Sequence, residues 1–140
     1  VSEEWRKVFK VISVLNGQRY SFNTANGYTS GPTAVIYEPD QVTMPEVGLL
    51  YAFKDEESAL HFVGWAGRHS GRPIELWEAD GVVAEGLRPL IWYNPFSMLE
   101  ENWELFLKGG VPRDSELAPE GTVLCRKIRP RKRLYRWRKV

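Results

Sequence analysis

Two residues, Asn16-Gly17, do most to limit the folds open to this chain. They separate Val8–Val14, a largely apolar and β-branched run, from Gln18–Phe22, and Asn-Gly is the commonest two-residue hairpin turn because both of its positions must accept positive φ. The chain therefore begins with an antiparallel pair of strands. Further strands are expected over Thr33–Tyr37, which Glu38-Pro39-Asp40 turns; over Gly48–Phe53, an apolar run suited to burial on both faces; and over Leu90–Tyr93. Ile74–Ala79 alternates, and Asp80-Gly81 before Val82–Ala84 reads as the turn of a second hairpin. Thr122–Ile128 is the last expected strand, stopped by Pro130, which has no amide to donate to a ladder.

Two helices are predicted. Asp55 is placed to cap a helix that opens with Glu56 and Glu57 and repeats Ala59, Phe62, Val63 and Ala66 along one face, with Gly67 as its stop. Ser97 and Glu100 form a capping box before Leu99, Trp103, Phe106 and Leu107, and Gly109-Gly110 ends that helix. Asn23–Pro32 reads as an exposed loop, and Val111–Gly121 as a mobile connection. Hairpin turns joining strands, with helices few, predict an α+β fold: a mainly antiparallel sheet of about seven strands with two helices.

At 140 residues the chain is the length of one domain, expected over residues 1–128 and followed by a basic tail over 129–140. The tail carries the most pronounced charge feature. Cys125–Val140 holds nine Lys or Arg and no Asp or Glu, against ten basic and eighteen acidic residues before it, so a formal charge of +1 conceals an acidic body and a strongly cationic end. Such segregation attracts polyanions. Arg126, Lys127, Arg129, Arg131, Lys132, Arg133, Arg136, Arg138 and Lys139, interleaved with Tyr135 and Trp137, suit phosphate neutralisation and stacking on the bases of a single-stranded nucleic acid. If the segment continues as a strand, Arg136 and Arg138 share one face, and Tyr135 and Trp137 the other. Two plainer roles compete: pairing with the acidic body or a second copy of the chain, and simple solvation.

A second set of candidates surrounds the Gly-rich loop and the end of the first helix. Arg19, Tyr20 and Tyr28 suit stacking on a base while the arginine holds a phosphate, and Arg68, His69 and Arg72 suit a phosphate or carboxylate. Core packing and a plain helix-to-strand connection are the competing readings of these two groups.

Catalytic signatures are scarce. Phosphate-loop, dinucleotide, zincin and nucleophile-elbow patterns are all missing. His61 lies within the first helix, Cys125 has no base beside it, and Glu75 and Glu78 on the Trp77 strand are carboxylates without an evident partner. No enzymatic activity, cofactor or metal is expected. The single cysteine excludes an internal disulfide framework and suits a reducing compartment. No apolar run approaches the twenty or so residues of a membrane-spanning helix, and the opening Val1-Ser2-Glu3-Glu4 lacks a secretory pattern, so the expected location is the cytoplasm, of the host cell if the chain is viral.

The succession Phe9-Lys10-Val11-Ile12, Tyr37-Glu38-Pro39, Pro45, Gly48–Asp55, Ala59, Phe62, Glu75-Leu76-Trp77-Glu78 and Pro119–Leu124 resembles a group of small uncharacterised proteins encoded by phages, other viruses and mobile elements. More distantly it resembles the phage anti-Thoeris proteins, which sequester cyclic ADP-ribose-type signals without catalysis. The likeness spans about the first 80 residues and the Gly121 strand, and its matched positions specify a fold more than a site. It implies a non-catalytic, virus-type accessory protein, with a homo-oligomer among the expected states. The sequence reading is thus a cytoplasmic binding protein whose basic tail contacts nucleic acid or another polyanion. Sequestration of a small nucleotide-derived signal, or a role as a self-assembling virion component, are its alternatives.

Overall fold

The fold is taken from a computed structural model that describes residues 3–21, 35–69, 71–92 and 99–138. In chain order its elements are β1 (Arg6–Leu15), β2 (Gln18–Ser21), β3 (Ile36–Tyr37), β4 (Leu50–Phe53), α1 (Glu56–His69), β5 (Ile74–Val83), β6 (Leu90–Trp92), α2 (Leu99–Leu107), β7 (Ser115–Leu117) and β8 (Thr122–Trp137). The α+β class and the antiparallel pairing are as expected, but the strands number eight among the described residues and form two sheets rather than one. Six are ordered β3-β2-β1-β4-β8-β5, and β6 pairs with β7 apart from them.

The first hairpin forms where Asn16 and Gly17 place it, with φ of 51° and 78° and Leu15 facing Gln18. β1 also pairs with β5 from Arg6↔Gly81 to Ser13↔Ile74, β5 pairs with β8, β8 with β4, and β4 returns to β1 at Phe53↔Phe9. The larger sheet thereby closes into a small ring, a shape that leaves β5 without a free edge along most of its length, whereas β8 is flanked by β4 only over Thr122–Cys125.

Side chains alternate across this ring. Val8, Ile12, Leu50, Ala52, Trp77, Ala79, Cys125 and Ile128 pack together inside it with Tyr37. Val11, Phe53, Ile74 and Leu76 form the opposite face, which α1 covers with Ala59, Val63 and Ala66. A third cluster joins Trp103 and Phe106 of α2 to Leu124, and the Tyr51 hydroxyl donates to the Leu90 carbonyl at 2.5 Å, tying the small sheet to the large one.

Several expected boundaries move. Asp80-Gly81 is not a turn: β5 runs through it without interruption, with Asp80 opposite Lys7 and Gly81 opposite Arg6. Glycine is required there for proximity, since a Cβ on Gly81 would lie 3.0 Å from a Val8 methyl and 3.1 Å from the Cys125 sulfur. Pro130 does not end the last strand either. It sits opposite Ala79 beside a register shift, the setting in which a strand tolerates proline, and its carbonyl accepts the Asp40 amide at 2.7 Å. The expected division after Ile128 thus falls within β8, which continues to Trp137. α1 passes Gly67 and ends at His69, and the connection Val111–Gly121 contains β7. Ser97 and the loop Asn23–Pro32 lie outside the described residues.

Candidate polyanion interface

β8 is held on β5 in a register that sorts its cations by face. Trp137 and Tyr135 stand opposite Ile74 and Leu76, so they lie on the side that α1 covers, and their rings stack at 5.4 Å. Trp137 joins the packing of that face, while Tyr135 is 45 % exposed. Arg136 and Arg133 stand opposite Glu75 and Trp77 and therefore point to the inner side of the ring.

Much of the cationic segment is matched by carboxylates of the body. Lys127 pairs with Glu3 at 2.6 Å, and Arg129 with Asp80 at 3.0 Å. Arg131 lies 3.5 Å from Asp40 and 3.9 Å from Asp80. Arg129 also sits over the Trp5 ring, 5.1 Å from its centroid. The exposed side chains of Arg126, Lys132 and Arg138 make no ion pair among the described residues. All eighteen Asp and Glu fall among the described residues, so no further side-chain carboxylate is left to neutralise them. From Arg126 to Arg138 eight cations therefore share four carboxylates: Glu3, Asp40, Glu75 and Asp80.

Glu75 organises the inner side. Its carboxylate is fully buried: Oε1 accepts the Arg19 Nε at 2.7 Å and the Trp77 Nε1 at 2.8 Å, while Arg133 and Arg136 approach Oε2 at 3.3 and 3.6 Å. The Arg19 guanidinium also lies over the Trp77 ring, 5.1 Å from its centroid. Burial alone would raise the Glu75 pKa, but the Trp77 and Arg19 hydrogen bonds, the Arg19 charge and the Arg133 bond together hold it below the ordinary carboxylate range. Arg19, Arg133 and Arg136 are thereby gathered at one point, although the sequence reading placed Arg19 in one candidate group and the other two in another. Glu75 was not foreseen as their centre. The sequence does contain a signal for it, an acidic residue two positions before Trp77 in a strand otherwise apolar on that face, where burial demands a cationic partner.

Tyr20 is buried, and its hydroxyl donates to Gln18 Oε1 at 2.6 Å. Arg68 and His69 lie in the last turn of α1, Arg72 precedes β5, and Tyr28 and Lys139 lie outside the described residues. His61 is exposed on α1. Cys125 is fully buried, and burial pushes its thiol up to about 11. A shallow groove lined by Glu46, Glu100, Glu104 and Trp103 has the wrong sign for an anion. Among the described residues no group of three His, Cys, Asp or Glu is arranged to hold a metal, and no helix is long and apolar enough to cross a membrane. No protein-family model, curated protein or solved structure matches the chain.

Proposed function

We propose that the protein is a non-catalytic binding protein that engages nucleic acid through β8. The observation that carries this reading is the charge surplus of that strand: eight cations against four carboxylates, with Arg126, Lys132 and Arg138 exposed and, among the described residues, unpaired. Lys and Arg held on a rigid strand neutralise phosphates without first losing the conformational freedom of a loose tail. Tyr135, on the same face as Lys132, adds an exposed ring on which a base can stack. The buried, protonated Cys125 thiol favours binding over nucleophilic chemistry.

Binding of a short single-stranded oligonucleotide, followed by fluorescence anisotropy across a salt series, tests the reading. The logarithm of the affinity is expected to fall linearly with the logarithm of salt. Joint replacement of Arg126, Lys132 and Arg138 by Gln should lower the steepness of that line by about 2, at roughly 0.7 per phosphate contact on a single strand. These three make no ion pair among the described residues, so the substitutions spare the fold. No binding at low salt, or an unchanged slope in the triple variant, removes the proposal.

A further inference from the structure

We infer that Arg19, Arg133 and Arg136 form a binding site for a single dianionic phosphate group, with Glu75 as the residue that positions them. The inference refines the polyanion reading by naming a discrete site on the same strand.

Depth is the first argument. The Glu75 side chain is 0 % exposed, whereas those of Arg19, Arg133 and Arg136 are 26 %, 45 % and 32 % exposed. The carboxylate therefore lies behind the guanidiniums, and an incoming anion meets cations first. Charge is the second argument. Three arginines converge on one carboxylate, and no other Asp or Glu pairs with any of them, so the cluster keeps a surplus of two positive charges. A phosphate monoester carries nearly that charge with the opposite sign at neutral pH.

Unused donors are the third argument. Holding a buried carboxylate requires one well-placed arginine, and Arg19 at 2.7 Å meets that need together with the Trp77 indole. Arg133 and Arg136 stand at 3.3 and 3.6 Å from the same oxygen, beyond the usual length of a charge-assisted bond, so most of their donors are directed elsewhere. Their NH1 atoms lie within about 7 Å of each other across Glu75 Oε2, and that single carboxylate charge, shared with Arg19, does not balance the repulsion among three guanidiniums. Planar guanidinium forks suit phosphate oxygens, and all three residues are Arg rather than Lys.

The phosphate has two possible sources, free phosphate and the 5′ end of a nucleic acid, and the test separates them. The melting temperature of the full chain is measured while inorganic phosphate replaces chloride at constant ionic strength, which should give a saturable rise. Arg133→Gln and Arg136→Gln should each move its midpoint at least tenfold to higher phosphate, while Lys108→Gln, an exposed cation just past α2, should leave it in place. If Arg133→Gln no longer melts cooperatively, Arg136→Gln decides. A wild-type response equal in phosphate and chloride, or one unchanged in both arginine variants, overturns the site.

An oligonucleotide labelled at its 3′ end, with and without a 5′ phosphate, then identifies the source. Binding at least threefold tighter with the phosphate, and lost in Arg136→Gln, assigns the site to a nucleic-acid terminus; equal binding beside a retained melting response assigns it to free phosphate. Absence of both effects with salt-dependent oligonucleotide binding intact overturns the site but leaves the interface of Arg126, Lys132 and Arg138 standing.

Discussion

Lys10 stands between Val8 and Ile12 on the inner face of the ring, where its ammonium donates to the Tyr51 carbonyl at 2.5 Å and lies 5.1 Å from the centre of the Tyr37 ring. Burial lowers its pKa from 10.5 to about 8. Between those values the unfolded chain holds a proton that the folded chain has released, so stability rises with pH across that window. Cys125 acts in the other direction. Its thiol rises from 9.0 to about 11, so above about pH 9 the unfolded chain loses a proton that the folded chain retains, and stability falls. The buried Tyr37 and Tyr51 hydroxyls, both shifted upward by desolvation, add to the fall above about pH 10. Urea unfolding should therefore show stability increasing from about pH 8 to 9 and declining beyond about 10. In Lys10→Met the increase should vanish, and stability at pH 7 should rise by about 1–3 kcal/mol, because a buried charge gives way to an apolar side chain of similar length.

At the scale of elements, what the sequence made legible is what neighbouring residues decide. The Asn16-Gly17 turn, the Asp55 cap, whose carboxylate accepts the Ser58 amide at 2.7 Å, and the Gly109 stop of α2 at φ 91° all depend on residues within a few positions. The backbone bond to Asp55 also holds its carboxyl below the usual range. Legibility ended where distant partners decide. Asp80-Gly81 has the composition of a turn, yet β1 and β8 on either side keep β5 extended through it; Pro130 has the composition of a stop, yet β5 carries the ladder past it. Glu75 depends on Arg19 and Arg133, 56 and 58 positions away, so the candidate site was legible only as separate groups of arginines. The two readings of Gly81 differ in their consequences. A turn accepts Asn at this position, whereas close approach to Val8 and Cys125 does not, so Gly81→Asn and Gly81→Val should each lower the urea midpoint, Gly81→Val by the equivalent of about 1–3 kcal/mol. An unchanged midpoint in Gly81→Asn would restore the turn.

For the molecule as a whole, the basic segment is structural before it is functional. Residues Arg129–Trp137 pair with β5 from Asp80 to Ile74, their Pro130 accepts the Asp40 amide, and two of them approach Glu75. A chain ending at Ile128 would leave β5 half unpaired and would strip the packed Trp137 ring from the face that α1 covers, so it should lose cooperative thermal unfolding and the near-ultraviolet circular dichroism of its packed aromatic rings. A sharp melting transition in that truncated chain would show the segment to be dispensable to the fold. The closed ring also orders events in time. β1 can fold back on β2 as soon as both are synthesised, and β5 can join β1, but β4 and β5 wait for β8, the last of the strands, before the interior is shut from water. Until then the Val8, Ile12 and Trp77 side chains face solvent on a nascent chain, which makes the interval before β8 appears the period of greatest exposure to aggregation and to chaperones.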